Sequence, residues 1–219
     1  VALFETGKIY LPKESVDELP EEKLVVTIGF YNNGDYYDLK GICEELLEAV
    51  GVEGWEISAV KDNPSYHPGR CAELTINGEK LGVLGQINPK VAKNYGIDKE
   101  CYVAEIDFNT LFANRGAEKT YTPLPKFPAV TRDLALVCDE KLPVASIEKV
   151  IKDNGGRLLE KVELFDVYQG KQIEAGKKSV AYALTLRDKE KTLADEDIDR
   201  VMKKIMKGLE KELGIGLRG

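Results

Sequence analysis

Three segments in the second half of the chain decide its fold: Lys126–Val137 (KFPAVTRDLALV), Leu164–Gly170 (LFDVYQG) and Gly176–Asp188 (GKKSVAYALTLRD). In the first and third segments large apolar residues alternate with small or polar ones. This period of two is typical of β-strands that bury one face. The pattern predicts strands over 132–138, 161–168 and 179–187, with one side of each strand turned to a core.

Helices are predicted between and after these strands. One covers Pro143–Asn154, with proline at its start and Gly155-Gly156 after its end. A second begins in capping-box style at Thr192–Asp195, with aspartate in place of the usual glutamate, and ends at Gly214. Residues 215–218 are long enough only for an edge strand. The resulting order, β-α-β-β-α-β, predicts a ferredoxin-like antiparallel sheet with two helices on one face and the other face open.

Alternation along the three strands predicts which side chains lie on the open face. On the strand at 161–168 it sends Phe165 and Val167 inward and Leu164 outward. The remaining predicted open-face residues are Asp133, Ala135, Val137, Asp166, Tyr168, Ser179, Ala181, Ala183, Thr185 and Arg187.

Small residues let a flat nucleobase approach the sheet, and Tyr168 offers a ring for stacking. The Asp166 carboxylate can accept hydrogen bonds from the N1–H and N2–H₂ groups of guanine. From the pattern alone, an ordinary solvated sheet face is the better explanation of these residues.

The first half of the chain predicts a separate mixed α and β domain. An amphipathic helix covers Tyr37–Val50, and strands are predicted at 24–30, 55–60 and 102–107. A hairpin joins 72–76 to 80–87 through Asn77-Gly78, which favours a type I′ turn. These elements predict an antiparallel sheet with helices at its side, including a short helix at Pro89–Tyr95.

Proline content sets the predicted domain boundary. Three prolines lie in 123–128, where fixed φ angles and missing N–H groups favour an extended segment. The predicted domains are therefore 1–117 and 129–219, joined by a linker at 118–128.

Composition limits the function classes. The formal net charge is −7, and the charge is uneven: residues 1–119 carry −9 and residues 120–219 carry +2. A general nucleic-acid binder is usually basic, so any RNA contact is expected to be local and positioned. No apolar run reaches the length of a membrane helix. The four cysteines are scattered and His67 is the only histidine, which predicts reduced thiols in a cytoplasmic protein and no metal site.

Two further features have plain explanations as well as functional ones. Basic residues line one side of the last predicted helix: Arg200, Lys203, Lys204, Lys207 and Lys211. This stripe points away from the open face and is interpreted as a solvated helix surface. Lys177 and Lys178, at the entrance to the third strand, are better candidates for contacting phosphate. The segment His67-Pro68-Gly69-Arg70 is expected to be a tight loop, since no nucleophile or carboxylate pair accompanies it at a readable spacing.

The second domain resembles the ferredoxin-like anticodon-binding domain that closes the β subunits of bacterial phenylalanyl-tRNA synthetases. The first domain resembles the catalytic-like domain of the same subunits, a class II synthetase fold without activity. That resemblance rests on residues 3–10 (LFETGKIY), 35–41 (DYYDLKG), 67–70 (HPGR) and 84–89 (LGQINP). In agreement with inactivity, residues 82–87 lack the glycine-rich run ending in arginine that holds ATP in active class II cores.

The resemblance implies a non-catalytic part of an α₂β₂ ligase that contacts the α subunit and the anticodon of tRNA(Phe). It implies no cofactor for this chain; ATP and Mg²⁺ would be used by the α subunit. Asp166, Tyr168 and Ser179 carry over as RNA-binding positions, and Ala181, Lys178 and Arg187 complete the predicted set.

Two other protein classes share the β-α-β-β-α-β order. A regulatory amino-acid-binding module usually has glycine in the first strand-to-helix loop, and a small phosphatase has an arginine there. Residues 139–143 (DEKLP) contain neither, so the loop chemistry favours the RNA-binding alternative.

Overall fold

The computed structural model describes residues 1–15, 17–117 and 120–217 and divides the chain into two compact units, Val1–Thr120 and Tyr121–Gly219. The predicted linker at 118–128 includes Glu118 and Lys119, and the predicted edge strand at 215–218 includes Arg218. These three residues, and Gly219 at the end of the second predicted domain, lie outside the described residues. The described stretch 120–129 contains no helix or strand.

The first unit is a six-stranded antiparallel sheet in the order β1-β2-β6-β5-β4-β3. Its elements are β1 (Ala2–Leu11), β2 (Glu21–Tyr31), α1 (Tyr36–Ala49), β3 (Trp55–Ala59), β4 (Tyr66–Ile76), β5 (Glu79–Ile87), α2 (Pro89–Asn94), β6 (Cys101–Asp107) and α3 (Phe108–Ala113). The antiparallel sheet expected from the hairpin pattern is confirmed, whereas its class II synthetase-like character stays a prediction.

Helix α1 forms where its sequence favours it. The Asp35 side chain accepts hydrogen bonds from the N–H groups of Tyr37 and Asp38, and Asp38 accepts one from the N–H of Asp35. This reciprocal capping satisfies donors that have no partner inside the helix. The buried side of α1 then packs Leu39 and Leu47 against the sheet.

One local prediction in the first unit is confirmed and another is wrong. Asn77 and Gly78 have φ angles of 51° and 80°, as a type I′ hairpin turn requires. His67-Pro68-Gly69-Arg70, expected to be a loop, instead lies inside β4, where the pairing with β5 is irregular between Tyr66 and Cys71. The His67 Nδ1 atom accepts a hydrogen bond from the Gly69 N–H at 3.0 Å, so the imidazole holds this irregular backbone.

All four cysteines are free thiols, and burial raises the pKa of each one, that of Cys43 to about 12. Because the thiolate is the reactive form, we expect a thiol reagent at pH 8 to modify half-buried Cys101 first and Cys43 last. Mass spectrometry of peptides after brief labelling measures this order. In denaturant all four should react alike; native Cys43 reacting as fast as Cys101 would contradict the burial.

The second unit is a four-stranded antiparallel sheet in the order β10-β7-β9-β8, with two helices packed on one face. Its elements are β7 (Val130–Asp139), α4 (Val144–Gly155), β8 (Leu159–Tyr168), β9 (Lys177–Leu186), α5 (Asp195–Leu213) and β10 (Gly216–Leu217), with a 3₁₀ turn at Gly156–Leu158. This arrangement confirms the ferredoxin-like prediction.

The core of the second unit lies between the helices and one face of the sheet. It contains the apolar set of β9, namely Val180, Tyr182, Leu184 and Leu186, all fully buried. Helix α5 buries Ile198, Val201, Ile205 and Leu209 against it, as the periodicity predicts. The basic residues of α5 are exposed on the other side.

The start of α5 differs from its prediction. The N-cap is Ala194, whose side chain cannot accept a hydrogen bond, so the predicted capping box does not form. The first turn carries Asp195, Glu196 and Asp197 instead. Their negative charges interact favourably with the positive end of the helix dipole, which is an alternative way to stabilise a helix start.

Candidate nucleic-acid interface

Strand register places a flat row of residues across the middle of the open face. Ala181 on β9 lies opposite Ala135 on β7 and opposite Asp166 on β8. With strands spaced 4.7–4.9 Å apart, the row is about 10 Å wide from Ala135 to Asp166. Two methyl groups beside a carboxylate leave room for a planar group to lie on the sheet.

Asp166 lies at the end of this row, on the free edge strand, and its side chain is exposed. Within the described part of the chain it makes no hydrogen bond or ion pair with another side chain. Its two oxygens are therefore able to accept from a ligand, as a reader of guanine requires.

Tyr168 stands in the next row, opposite Ser179, and is 36% exposed. Its hydroxyl group lies against Gly170, where an added Cβ atom would be only 2.4 Å from the oxygen. The missing side chain at Gly170 makes this ring position possible. The Tyr168 side chain is thus partly covered and partly open to solvent.

The sequence misassigned two neighbours of Asp166. The pairing of β8 with β9 shifts between Leu164 and Asp166, so Phe165 is an extra residue in the ladder. Because of this bulge, Leu164 lies opposite Tyr182 and packs into the core, and Phe165 is 58% exposed. Strict alternation had predicted the reverse, and an inserted residue inverts it locally.

The other predicted site residues do not all meet at this face. Ser179 belongs to the open face by register but is only 4% exposed. Lys178 lies opposite buried Cys138, on the helix side, and its Nζ donates to the Leu142 carbonyl at 2.7 Å. The Lys178 side chain therefore does not lie beside Asp166 and Tyr168 on the open face. Its placement at the start of β9 was predicted, but the direction of its side chain was not.

Arg187 follows β9, and its guanidinium group is hydrogen-bonded to other residues of the second unit. Its Nε donates to Glu160 Oε2 at 2.5 Å, and its terminal nitrogen donates to the Phe127 carbonyl at 2.7 Å. These bonds tie the segment before β7 to the end of the sheet.

The electrostatics of the open face favour base contacts over backbone contacts. Asp133, Glu163 and Asp166 all lie on it, and Lys161 is paired with Glu163 at 2.7 Å. This excess of carboxylates repels phosphate, so the face can recognise hydrogen-bond donors on bases but cannot hold an RNA backbone.

The first unit contains a polar cluster that the sequence did not reveal. Arg70 donates to Gln86 and to Glu100, each at 2.9 Å, and the Tyr102 hydroxyl donates to Glu100 at 2.9 Å. The hydrogen bonds from Tyr102 and then Arg70 lower the pKa of Glu100. Arg70, Gln86 and Tyr102 come from β4, β5 and β6, and Glu100 is the residue before β6, so only the sheet pairing brings the four together.

The side chains of this cluster bond to one another, and none of them is a serine, cysteine or histidine. Across residues 1–15, 17–117 and 120–217, no group of three His, Cys, Asp or Glu side chains could hold a metal ion. Likewise, none of the helices in the described ranges is both long and apolar enough to cross a membrane.

Comparisons with known proteins agree with this geometry. Residues 125–218 match the family model of the ferredoxin-fold anticodon binding domain, and residues 1–108 match that of the phenylalanyl tRNA synthetase beta chain CLM domain. The second unit thus belongs to the class of ferredoxin-fold anticodon-binding domains. The chain as a whole belongs to the phenylalanyl-tRNA synthetase β-chain family and corresponds to its C-terminal part.

Several relatives are phenylalanine–tRNA ligase beta subunits. The chain is 49% identical to that of Clostridium acetobutylicum and 47% identical to that of Clostridium tetani, over 99% of this chain in both cases. It is 38% identical to that of Bacillus subtilis over 100% of this chain and 28% of the relative. The chain spans about 27% of the length of the curated relatives it matches.

Proposed function

We propose that the second unit binds the anticodon of tRNA(Phe), as part of the β subunit of a cytoplasmic phenylalanine–tRNA ligase. The observation that carries this proposal is the row formed by Ala135, Ala181 and Asp166 on the open face. It offers an apolar shelf the width of a base and a carboxylate acceptor at its edge. Anticodons for phenylalanine begin with guanine, whose Watson–Crick edge presents the donors that a carboxylate accepts.

Tyr168 and Asp166 have separate roles in this proposal. The Tyr168 ring stacks on a base and supplies affinity that depends little on base identity. The Asp166 carboxylate supplies the discrimination for guanine. Ala181 keeps the floor flat, and Ser179 and Arg187 support the site from positions that are buried or already bonded.

The first unit would serve as a non-catalytic scaffold that contacts the α subunit. Its polar cluster has no free nucleophile, and its β5 strand lacks an arginine for ATP. In the α₂β₂ ligase, ATP and Mg²⁺ would be used by the α subunit, and no cofactor is assigned to this chain.

The test is replacement of Tyr168 in the full-length subunit assembled with its α subunit. Tyr168→Ala is expected to reduce kcat/KM for tRNA(Phe) roughly 5- to 150-fold, the range for loss of one base stack. Tyr168→Phe keeps the ring and should retain most of the activity. Aminoacylation kinetics at several tRNA concentrations measure both variants.

The tRNA-independent exchange of pyrophosphate into ATP serves as the control reaction. It should be unchanged in both variants, because amino-acid activation does not involve the anticodon. An equal loss of exchange and aminoacylation in Tyr168→Ala would overturn the proposed role.

A further inference from the structure

The acidic open face leaves one requirement of RNA binding unmet. Phosphate contacts supply most of the affinity of proteins for nucleic acids, and base contacts supply the specificity. The open face carries three carboxylates, and its Lys161 is paired with Glu163 at 2.7 Å. Cations that hold the backbone are therefore expected outside this face. Arg187 and Lys178 do not fill this role, because both are hydrogen-bonded internally.

A cleft at one end of the sheet carries such cations. It lies between the end of α4 and the first turns of α5, has a volume of about 220 Å³, and is lined by Asn154, Arg157, Asp188, Lys191, Arg200 and Lys204 among others. Gly156, with a φ angle of 63°, makes the tight turn after α4 that leads into Arg157. The cleft is smaller than a typical site for a drug-sized ligand and suits a single anionic group.

The charges in the cleft are layered. Two carboxylates lie underneath: Asp188 is 4% exposed and the Asp197 side chain is 18% exposed. Cations lie above them, since the side chains of Arg157, Lys191 and Arg200 are 58–77% exposed. The cations therefore present their outer sides to solvent while the carboxylates hold them from below.

The cleft contains more cations than carboxylates, so the ion pairs within it do not neutralise its positive charge. Lys191 contacts Asp197 at 2.7 Å, Arg157 contacts Asp188 at 3.5 Å, and Arg200 is 3.9 Å from Asp197. Lys204 has no ion pair within the described part of the chain. Four cations over two carboxylates give the cleft a net charge of +2, in a chain whose total is −7.

The cleft lies near the end of the sheet at which β9 ends, because Asp188 is one of its lining residues. Asp188 directly follows Arg187, and Arg187 is the last residue along β9 in the predicted open-face set. Ala181 and Asp188 are seven residues apart, a separation of about 23 Å along an extended strand. A base at Ala181 and a phosphate in the cleft would thus be several nucleotides apart on the same RNA.

We propose that this cleft holds a backbone phosphate of the tRNA whose anticodon occupies the open face. The inference rests on the proposed function, and it adds a phosphate contact in the cleft to the base contacts on the open face. The contact is made to phosphate, so it adds affinity without regard to base identity.

The test compares two double variants of the full-length ligase in tRNA binding at several salt concentrations. Arg200→Gln with Lys204→Gln removes two cations from the cleft. Lys207→Gln with Lys211→Gln removes two exposed cations from α5 outside the cleft. The cleft variant should bind tRNA about 3- to 10-fold more weakly at low salt, with the slope of log K against log salt reduced by about 1 to 2. The control variant should match the wild type.

The same measurements with tRNA in which the first anticodon base is changed separate the two proposals. The cleft variant should lose affinity equally for both tRNAs, because a phosphate contact does not read the base. Equal affinities and salt slopes for the cleft and control variants would overturn the phosphate site while leaving the Tyr168 result intact. Unchanged tRNA use by Tyr168→Ala would instead overturn the proposed function itself. Thermal unfolding of each variant is the control for folding, and the cleft variant is expected to unfold at the same temperature as the control variant.

Discussion

Removing the Asp166 carboxylate is expected to lower kcat/KM for tRNA(Phe) roughly 10- to 100-fold, since hydrogen bonds to a charged group are among the stronger ones. The reason is structural: Asp166 ends the row of Ala135 and Ala181, and its oxygens have no partner among the described residues. The measurement is aminoacylation by the full-length ligase carrying Asp166→Ala. Pyrophosphate exchange should be unchanged.

Asp133 provides a matched control for Asp166. It is an exposed carboxylate on the same open face, opposite Ala183 on β9, one row away from the shelf. Asp133→Ala removes the same charge but should change kcat/KM less than about threefold, because a screened surface charge contributes little. If both variants lose activity equally, general electrostatics and not base reading would explain the effect.

The loss should also depend on the tRNA. When the first anticodon base is changed from guanine to adenine, the N1–H and N2–H₂ donors disappear, so Asp166→Ala and the wild type should use this tRNA about equally. An undiminished difference between the two proteins would show that Asp166 acts on something other than this base.

The sequence predicted the second unit well because its strands bury one face. Val180, Tyr182, Leu184 and Leu186 repeat with period two over a strand with no interruption, and all four are fully buried. The same regularity placed Ala181 on the open side, and alternation along β8 placed Asp166 and Tyr168 there despite the bulge at Phe165. The match of residues 125–218 to the ferredoxin-fold anticodon-binding family agrees with that topology.

The errors occurred where regular alternation stops. Nothing in the composition of residues 164–166 marks the bulge that exposes Phe165, because the shift is fixed by how β8 pairs with β9. The direction of the Lys178 side chain could not be predicted for a related reason, because the carbonyl that it bonds belongs to a loop 36 residues earlier. The irregular part of β4 near His67 likewise depends on its partner strand.

Site geometry that depends on several elements could not be predicted at all. The Arg70 cluster joins residues from β4, β5 and the start of β6, and the basic cleft joins α4, α5 and the end of β9. In the sequence, Arg200 and Lys204 appeared only as part of a basic helix stripe. Their proximity to Arg157 and Lys191 arises from helix packing, which separates them from Lys207 and Lys211 on the same helix.

The one-sided burial of β9 predicts the largest effect on stability. Leu184 is fully buried among the helices, and Leu184→Ala is expected to destabilise the second unit by about 2–5 kcal/mol through lost burial and a cavity. For a unit of this size, such a loss lowers Tm by roughly 10–30 °C. Hydrogen exchange read by mass spectrometry follows the second unit separately, through faster exchange in peptides from β7, β9 and α4.

Thr185, the next residue on β9, is the matched control because its side chain lies on the half-exposed open face opposite Thr131. Thr185→Ala should cost less than about 1 kcal/mol, since no core contact is removed. Peptides containing Trp55, in the first unit, should exchange alike in both variants. Two adjacent residues would then differ severalfold in their effect on unfolding because one side of the sheet forms the core and the other is accessible to a ligand. Equal destabilisation by the two substitutions would mean that the open face is itself packed, and the shelf for a nucleobase would not exist.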